Sequence, residues 1–465
     1  MTPKVSVIMP CYNQARFVGE AIQSVLNQTY QDFELIVVDD GSTDGSHDIV
    51  AAIGDRRIRY HYQSNQGLAA ARNAALCLAR GEFVAFLDAD DLFLPEKLTL
   101  QVQALDNQPE VGLVAGGYLF VDELGKPLAE RRPWCYRPHL DLSTWLRDCP
   151  VIVNAVLVRR EWLKHVGGFD PALRRVEDWD LWLRMAYRGC RMVWTPHVVC
   201  AYRMHGEQMV RDGRSQKETT LAIMDKFFAQ PDLPTELRRE RQQAYAAAYL
   251  SGAFREYGAD QVDSATQSLA KAIQLMPALM TGNIPPLTYT LISWAADAVT
   301  GDSTTFVDRV LGNLPASASR LRFLRQRMLY AAAIWTAVDA NLVGNKVLAR
   351  QPLINVLKRE NSVVDNPALV VELLVDHVRS KQRECQTRCI EDFFENLPSE
   401  LASLRPFRRK ALGRLYMARG FEAHDAGEAK QTACAILQGA RHDPAWLRNR
   451  GVWSIMLRSF LAYSR

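Results

Sequence analysis

Three carboxylates within four residues follow a short apolar run. Their residue type and close spacing make them the clearest candidates for a chemical role in the chain. The apolar run covers 83–87, and the acids are Asp88, Asp90 and Asp91. Carboxylates this close repel one another, and a divalent cation that also binds phosphate oxygens would relieve the repulsion. Hard oxygen ligands of this kind suit Mg²⁺ or Mn²⁺. The alternative interpretation is a solvated acidic turn before the helix that starts near Pro95.

Other polar side chains are predicted to follow strands at the same sheet edge. Tyr12 follows a first strand and could stack on a base, and Asp39 follows a second strand and could accept hydrogen bonds from a base or ribose. Arg72, early in a helix, offers a planar cation for a diphosphate. Each has a plainer interpretation, as a loop aromatic, a turn former (as for Asp40) or a solvated charge. Their shared position favours a ligand site.

The elements that must position these residues alternate between strands and helices. The first strands are predicted at 5–9, 33–38, 58–62 and 83–87, with helices at 15–27, from the Ser-Thr pair at 42–43 to about 53, and at 68–79. Further strands are predicted at 111–121, 154–158, 191–196 and 197–203. The alternation predicts βαβ units and a parallel sheet, whose ligands bind beyond the carboxyl ends of the strands.

Bulk properties exclude several classes of protein. With 465 residues, 48% hydrophobic content and a net charge of +4, the chain is typical of a globular protein with two or three domains and not of a nucleic-acid binder. Nine cysteines without a paired framework indicate a reduced, cytosolic compartment. A strand begins at once, so we expect no signal peptide, and no apolar run reaches the ~18 residues of a membrane span.

Several ordered stretches of the first half closely resemble the opening of family 2 glycosyltransferases. They are 5–13 (VSVIMPCYN), 24–30 (SVLNQTY), 33–44 (FELIVVDDGSTD), 65–68 (NQGL) with 71–73 (ARN), and 88–91 (DADD). The resemblance covers roughly 3–205. It implies an α/β fold of the GT-A type, a Rossmann-like nucleotide-diphospho-sugar transferase domain, and transfer from a nucleotide-activated sugar, most often a UDP-sugar.

The resemblance also assigns roles to individual residues. It implies a nucleotide site formed by Pro10, Tyr12, Asn13, Asp39, Gly67, Arg72, Asp88 and Ala89. Asp39 would contact the base, Asp88 would lie near the ribose, and Asp90 would hold the metal. His205 matches a position where relatives often have a histidine that completes the metal or diphosphate site, and imidazole suits Mn²⁺ better than Mg²⁺. A surface loop histidine is the open alternative.

A second acidic motif follows the Gly-Gly-Phe-Asp turn at 167–170. Glu177 and Asp178 open a predicted helix there and resemble the second carboxylate motif of the family. An inverting transfer needs a base for the acceptor hydroxyl, and the resemblance assigns that role to Asp178. Glu177 would raise the pKa of its neighbour by charge repulsion. The alternative is that both acids complement the dipole of the helix.

The second half differs in character. From about 216 onward strand patterns end and Ala, Leu, Arg and Glu dominate, which predicts a GT-A domain over 1–215 and an all-helical region over 216–465. Two stretches, 244–276 and 411–444, resemble degenerate tetratricopeptide helix pairs. Basic clusters at 238–241, 320–327 and 405–410 are either solvated helix faces or a contact for anionic lipid.

Together these features predict a metal-dependent inverting glycosyltransferase. We expect a nucleotide-sugar donor, a hydroxyl acceptor on a glycan or lipid-linked molecule, and a role in bacterial envelope polysaccharide or glycolipid synthesis. The expected location is the cytoplasm, with peripheral contact to the inner face of the membrane and a protein partner or self-association through the helical region as further expectations. The alternative is a non-catalytic nucleotide-sugar-binding scaffold that recruits partners through its helical half.

Overall fold

A computed structural model describes residues 2–205, 213–297, 303–342, 344–359, 366–381 and 383–463. The chain divides into two compact units, Met1–Ala278 and Leu279–Arg465. The last strand ends at Arg203, whereas helices as far as residue 275 belong to the first unit. The domain boundary at 215/216 stays a prediction.

A mixed sheet organises the first unit. In the described residues its strands are β1 Val5–Cys11, β2 Phe33–Asp39, β3 Ile58–Tyr62, β4 Phe83–Phe86, β5 Leu92–Phe93, β6 Val111–Val121, β7 Pro127–Arg131, β8 Val156–Arg159 and β9 Arg191–Arg203. The order is β3-β2-β1-β4-β8-β6-β9-β5, with β7 paired to β6. This mixed sheet with flanking helices confirms the predicted α/β fold of the GT-A class.

The strand directions predicted from the sequence are only partly correct. The predicted parallel arrangement holds for β1 to β4, but β8 runs antiparallel to both β4 and β6. Several predicted boundaries are wrong: β1 continues through Pro10 to Cys11, the strand predicted over 154–158 begins only at Val156, and the two strands predicted over 191–203 are one strand, β9. Every residue of β1 and β2 is buried, as expected for strands covered on both faces.

Helices flank this sheet and extend beyond it. In the first unit they are α1 Val18–Leu26, α2 Ser46–Ala52, α3 Leu68–Leu78, α4 Lys97–Asp106, α5 Leu142–Trp145, α6 Arg160–Val166, α7 Glu177–Tyr187, α8 Gly213–Phe228, α9 Thr235–Arg239, α10 Arg241–Gly258 and α11 Val262–Leu275. The buried residues of α1 recur at helical spacing, at 18, 21, 22 and 25, and form the stripe that packs on the sheet.

The second unit contains only helices in the residues described. They are α12 Pro286–Asp297, α13 Ser303–Gly312, α14 Arg325–Leu342, α15 Lys346–Arg359, α16 Pro367–Arg379, α17 Gln386–Glu395, α18 Arg408–Asp425, α19 Ala429–His442 and α20 Arg450–Tyr463, with shorter 3₁₀ segments between some of them. The all-helical prediction for this region is confirmed. Across the described ranges, every helix is too short or too polar to traverse a bilayer.

Three helix pairs share one pattern of lengths. The pairs α10/α11, α14/α15 and α18/α19 each join a helix of 18 residues to one of 14 through three residues. They begin at 241, 325 and 408, which is 84 and 83 residues apart. The sequence predicted the first and third pairs but missed the second. Because other helices separate the pairs, they form no continuous array of ~34-residue repeats, and the tetratricopeptide resemblance stays a prediction.

Candidate active site

Asp39 is fixed at the carboxyl end of β2. Its carboxylate is buried, and one oxygen accepts a hydrogen bond from the Ser42 amide at 2.7 Å while the other accepts from the Tyr60 hydroxyl at 2.7 Å. Tyr60 lies on the neighbouring strand β3. Sequence reasoning missed Tyr60. The available signal was that side chains along a strand such as β3 alternate between the two faces of the sheet, so that one of them faces the end of β2.

The segment after β1 is tied to the segment after β2. Asn13 has a left-handed backbone with φ of 51°. Its side-chain oxygen accepts a hydrogen bond from the Thr43 backbone amide at 2.8 Å, and its backbone amide donates to Ser42 Oγ at 3.0 Å. Tyr12 is 49% exposed at this edge, and Pro10 is buried in β1. The predicted nucleotide-site residues from the first two strands therefore lie together, with the Tyr12 ring open to a ligand.

Asp40 shapes the turn that precedes α3. Its carboxylate accepts hydrogen bonds from the amides of Gln66 at 2.9 Å and Gly67 at 2.8 Å, and from the Gln63 side chain at 2.7 Å. Gly67 has φ of 92°, which glycine adopts without the steric cost that a side chain would bring. Asp40 thus sets the start of α3 and, one turn later, the position of Arg72.

Arg72 joins the two acidic motifs. It is 1% exposed; Nη2 lies 2.6 Å from Asp88 Oδ1, and Nη1 pairs with Glu177. Its guanidinium lies 5.4 Å from the ring centroid of Phe169, and Nε has no hydrogen-bond partner among the described residues. Acids that are far apart in sequence therefore meet at one buried cation. The role predicted for Arg72 toward a diphosphate stays a prediction.

Asp178 lies next to this cluster in an environment that disfavours its charge. The side chain is half-buried, and its carboxylate accepts a hydrogen bond from the Trp179 amide at 2.8 Å. Burial, and then the negative charge of Glu177, raise the pKa of Asp178 to about 7, although Arg72 acts in the opposite direction. A carboxylate that titrates near neutrality is suited to accept a proton from a substrate.

The backbone before α7 is strained. Val176 has φ of 58° and is followed directly by Glu177. A β-branched residue in the left-handed region is a genuine outlier, and such strain is concentrated at functional sites. The conformation fixes the direction in which Glu177 and Asp178 enter the site.

Asp90, within the acidic stretch, pairs with His205, which follows β9. His205 Nε2 lies 2.9 Å from Asp90 Oδ2, and the imidazole is buried against the ring of Phe17. No group of three or more His, Cys, Asp or Glu side chains is arranged to hold a metal within the described ranges. One carboxylate and one imidazole nevertheless fit an ion such as Mn²⁺ when substrate phosphate oxygens and water supply the other ligands.

Three buried polar residues hold the acidic stretch in place, and sequence reasoning predicted this positioning role for none of them. Asp91 accepts a hydrogen bond from the Arg203 amide at 2.7 Å and pairs with the Asn154 side chain. Asn154 in turn accepts from the Asp88 amide at 2.9 Å, and Arg203 donates to the Asp90 carbonyl at 2.9 Å. Asp91 was visible within the acidic run, whereas nothing local marked Asn154 or Arg203, whose partners are distant in the chain.

The structure thus brings the predicted residues to one edge of the sheet. Tyr12, Asn13 and Asp39 lie at the ends of β1 and β2, and Gly67 leads into α3. Ala89 is buried between the two acids. The roles of these residues toward a nucleotide stay predictions.

Known proteins resemble this chain in sequence. The family model described as glycosyl transferase family 2 matches residues 6–167. An uncharacterized glycosyltransferase of Rickettsia typhi, RT0329, is 32% identical over 238 residues, which cover 49% of this chain and 72% of that protein. EpsE of Bacillus subtilis, also named as a glycosyltransferase, is 36% identical over 195 residues, 41% of this chain and 69% of that protein. An uncharacterized glycosyltransferase of Rickettsia felis is longer, and the chain covers 50% of it.

Two solved structures match part of the chain. Residues 1–349 of TarS from S. aureus, in complex with UDP-GlcNAc, match with a TM-score of 0.45 and 20% identity over 71% of this chain and 87% of that one. The mannosyltransferase PcManGT from Pyrobaculum calidifontis, in complex with GDP-Man and Mn²⁺, matches with a TM-score of 0.45 and 24% identity over 66% of this chain and 83% of that one.

Proposed function

Since this chain belongs to glycosyltransferase family 2, we propose that it moves a sugar from a nucleotide-diphosphate donor to a hydroxyl acceptor with inversion at the anomeric carbon. The observation that carries the proposal is the pairing of buried Arg72 with both Asp88 and Glu177. That pairing supports a single cleft in which donor and base act on one sugar.

The donor half of the proposed site is built from strand ends. Asp39 accepts hydrogen bonds from the base, with the exposed Tyr12 ring beside it and Pro10 and Asn13 completing the wall. Asp88 faces the ribose, and Ala89 and Gly67 allow close approach of the nucleotide. The preferred donor is a UDP-sugar.

A divalent cation completes the proposal. Asp90 and His205 would hold Mn²⁺ or Mg²⁺, and the bound ion would neutralise the negative charge of the departing nucleoside diphosphate. The pairing of Asp90 with His205 supports this assignment, since one carboxylate and one imidazole fit such an ion when phosphate oxygens and water supply the other ligands.

Asp178 is the proposed general base. Its pKa of about 7 allows it to be ionised at neutral pH and still accept the acceptor proton as the hydroxyl oxygen attacks. Glu177 keeps that pKa high by repulsion and is itself held by Arg72. Stabilisation of charge on the leaving group is the larger catalytic effect, and base catalysis adds about 10²–10⁴-fold.

The biological setting belongs to the same proposal. The acceptor is a glycan or lipid-linked molecule of the bacterial envelope. The nine cysteines show no paired framework in the sequence, which supports a reducing compartment such as the cytoplasm. A non-catalytic scaffold is not favoured, because the family activity and the full set of acids both point to transfer.

A transfer assay tests the base. Asp178→Asn is expected to keep donor binding, measured by calorimetry, and to lose sugar transfer by about 10²–10⁴-fold. Asp232→Asn, an exposed acid in the same unit, is the matched control and should behave as wild type. Near wild-type transfer by Asp178→Asn would contradict the assignment.

A separate titration tests the metal. We expect Mn²⁺ to strengthen binding of UDP to the wild-type chain and to have little effect on Asp90→Ala, because that variant lacks the proposed carboxylate ligand. Calorimetry with and without Mn²⁺ measures the difference. An equal gain in affinity for both proteins would show that Asp90 does not hold the ion.

A further inference from the structure

A basic cavity lies between α18 and α19 in the second unit, remote in sequence from the proposed active site. It has a volume of about 350 Å³ and is lined chiefly by Arg408, Arg409, Tyr416, Gln438, Arg441 and His442. We propose that this cavity binds an anionic saccharide, a sugar that carries a phosphate or a carboxylate.

The charge of the cavity is not balanced by the protein. Arg409 and Arg441 are exposed and make no ion pair within the described ranges. Arg408 is shared between Glu391 at 3.3 Å and Glu395 at 3.7 Å, and both distances are long for a tight pair. The cavity therefore presents an excess of guanidinium groups, whose planar forks match carboxylate and phosphate oxygens.

The arginines that line the cavity all act on the imidazole of His442. Burial lowers the pKa of His442, and Arg409, Arg441 and Arg408 lower it further, while Glu391 opposes them weakly. An anion placed among these arginines would relieve their mutual repulsion. The class of ligand that complements this field is an anion.

The polar edges of the cavity suit a sugar. The rings of Tyr416 and His442 stack at 5.6 Å between centroids, and the Arg419 guanidinium lies over the Tyr416 ring at 5.4 Å. The Tyr416 hydroxyl, which lies 3.4 Å from Thr387 Oγ1, the His442 imidazole and the Gln438 amide are the groups of the lining that can hydrogen-bond with sugar hydroxyls. The volume is in the range of small-ligand sites, roughly 300–1,000 Å³, and a concave site of this size does not suit a flat membrane surface.

The repeated helix pairs provide an internal comparison. Arg408 and Glu391 correspond to Arg325 and Asp308, 83 residues earlier, and that pair closes at 2.6 Å. Arg409 and Tyr416, however, correspond to Gln326 and Ala333. The fold of a helix pair therefore does not require the groups that make this cavity basic and polar, which favours a ligand role over a packing role.

The two parts of the proposal have different supports. The anionic part depends on the cavity alone, whereas the saccharide part rests on the family activity of the chain. Neither depends on the residues proposed as base or metal ligands. A binding test at this cavity can therefore fail while the proposed transfer reaction stands, and the reverse also holds.

Calorimetry on the full chain tests the proposal with four probes: glucose 6-phosphate, glucuronic acid, glucose and inorganic phosphate. Saturating UDP is present throughout to occupy the donor site. We expect one or both charged sugars to bind, glucose not to bind, and inorganic phosphate to bind at least about tenfold more weakly. Whether glucose 6-phosphate or glucuronic acid binds more tightly identifies the charged group.

Two substitutions and a control locate the binding. Arg409→Gln and Arg441→Gln should each weaken binding of the charged sugar by about tenfold, the loss expected for one charge-assisted contact. Arg320→Gln removes a similar exposed charge elsewhere in the unit and should have no effect. Because all three side chains are exposed, unchanged melting temperatures are expected and confirm folding.

Several outcomes would overturn the proposal. Equal affinity for inorganic phosphate and glucose 6-phosphate would remove the sugar from the recognition. An equal loss in Arg320→Gln would reduce the effect to net charge. If anionic phosphatidylglycerol vesicles or a short DNA duplex bind in place of the sugars, and Arg409→Gln weakens that binding, the cavity belongs to an extended basic surface.

Discussion

At the scale of single residues, the candidate site depends on one buried cation among several acids. Arg72 pairs with Asp88 and with Glu177, and Asp178 lies beside them with a raised pKa. The burial that suits Asp178 to its proposed role as a base also makes its ionised form costly. Function and stability therefore oppose each other at this residue.

The raised pKa predicts a pH dependence for transfer. Asp178 must be ionised to accept a proton, and its pKa is about 7. We expect kcat/KM to fall about tenfold per pH unit below neutrality. A pH profile from 5 to 9 measures this, and a flat profile down to pH 5 would contradict Asp178 as the base.

The same shift predicts a pH dependence for stability. The pKa of Asp178 is raised above its ordinary value of 3.8, so the folded state carries an increasing penalty as pH rises between 3.8 and about 7, and the full penalty above that. Asp178→Asn should therefore raise the free energy of unfolding, by about 1–3 kcal/mol more at pH 8 than at pH 5. Urea unfolding at both values checks the sign, and a gain larger at pH 5 would refute it.

At the scale of elements, the sequence predicted the strands and helices that deliver the acids, because βα units have local patterns. Hydrophobic runs bounded by turn residues located β2, β3 and β6 closely. The reversal of direction at β8 was not predictable, since pairing between β4 and β8 joins distant segments. Asn154 and Arg203 were missed for the same reason: each acts through a partner brought near only by the sheet.

The strained backbone at the start of α7 predicts that a glycine substitution there will not lower the stability of the protein. A β-branched residue with a left-handed backbone carries a strain of about 1–3 kcal/mol. Val176→Gly should relieve this strain, so the free energy of unfolding should be unchanged or higher. Sugar transfer should fall, because Asp178 is then oriented less rigidly. Val166→Gly, in the last turn of α6, is the control and should lower the melting temperature. A destabilised Val176→Gly variant with full activity would contradict the role of the strain.

At the scale of the whole molecule, the composition of the sequence does not reveal the extent of the first core. Composition changes near 216, yet Met224, Phe227 and Phe228 on α8 belong to the same hydrophobic core as the sheet. A shift in composition marks where strands stop, whereas a compact unit is defined by what its residues pack against. Only the fold contains that information.

Truncation tests the extent of that core. A fragment of residues 1–278 is expected to unfold cooperatively, whereas 1–215 should aggregate or melt at a markedly lower temperature because it lacks the α8 side chains that belong to the same hydrophobic core. Circular dichroism melts and size-exclusion chromatography compare the two. Equal stability of the fragments would favour the boundary predicted from composition.

The recurrence of equal helix pairs at intervals of 84 and 83 residues has a consequence for the history of the gene. If each interval arose by duplication of one ancestral stretch, whole intervals can be gained or lost without cutting through a pair. Orthologous chains should then differ in length by steps of about 83 residues in this region, and the catalytic half should keep its length.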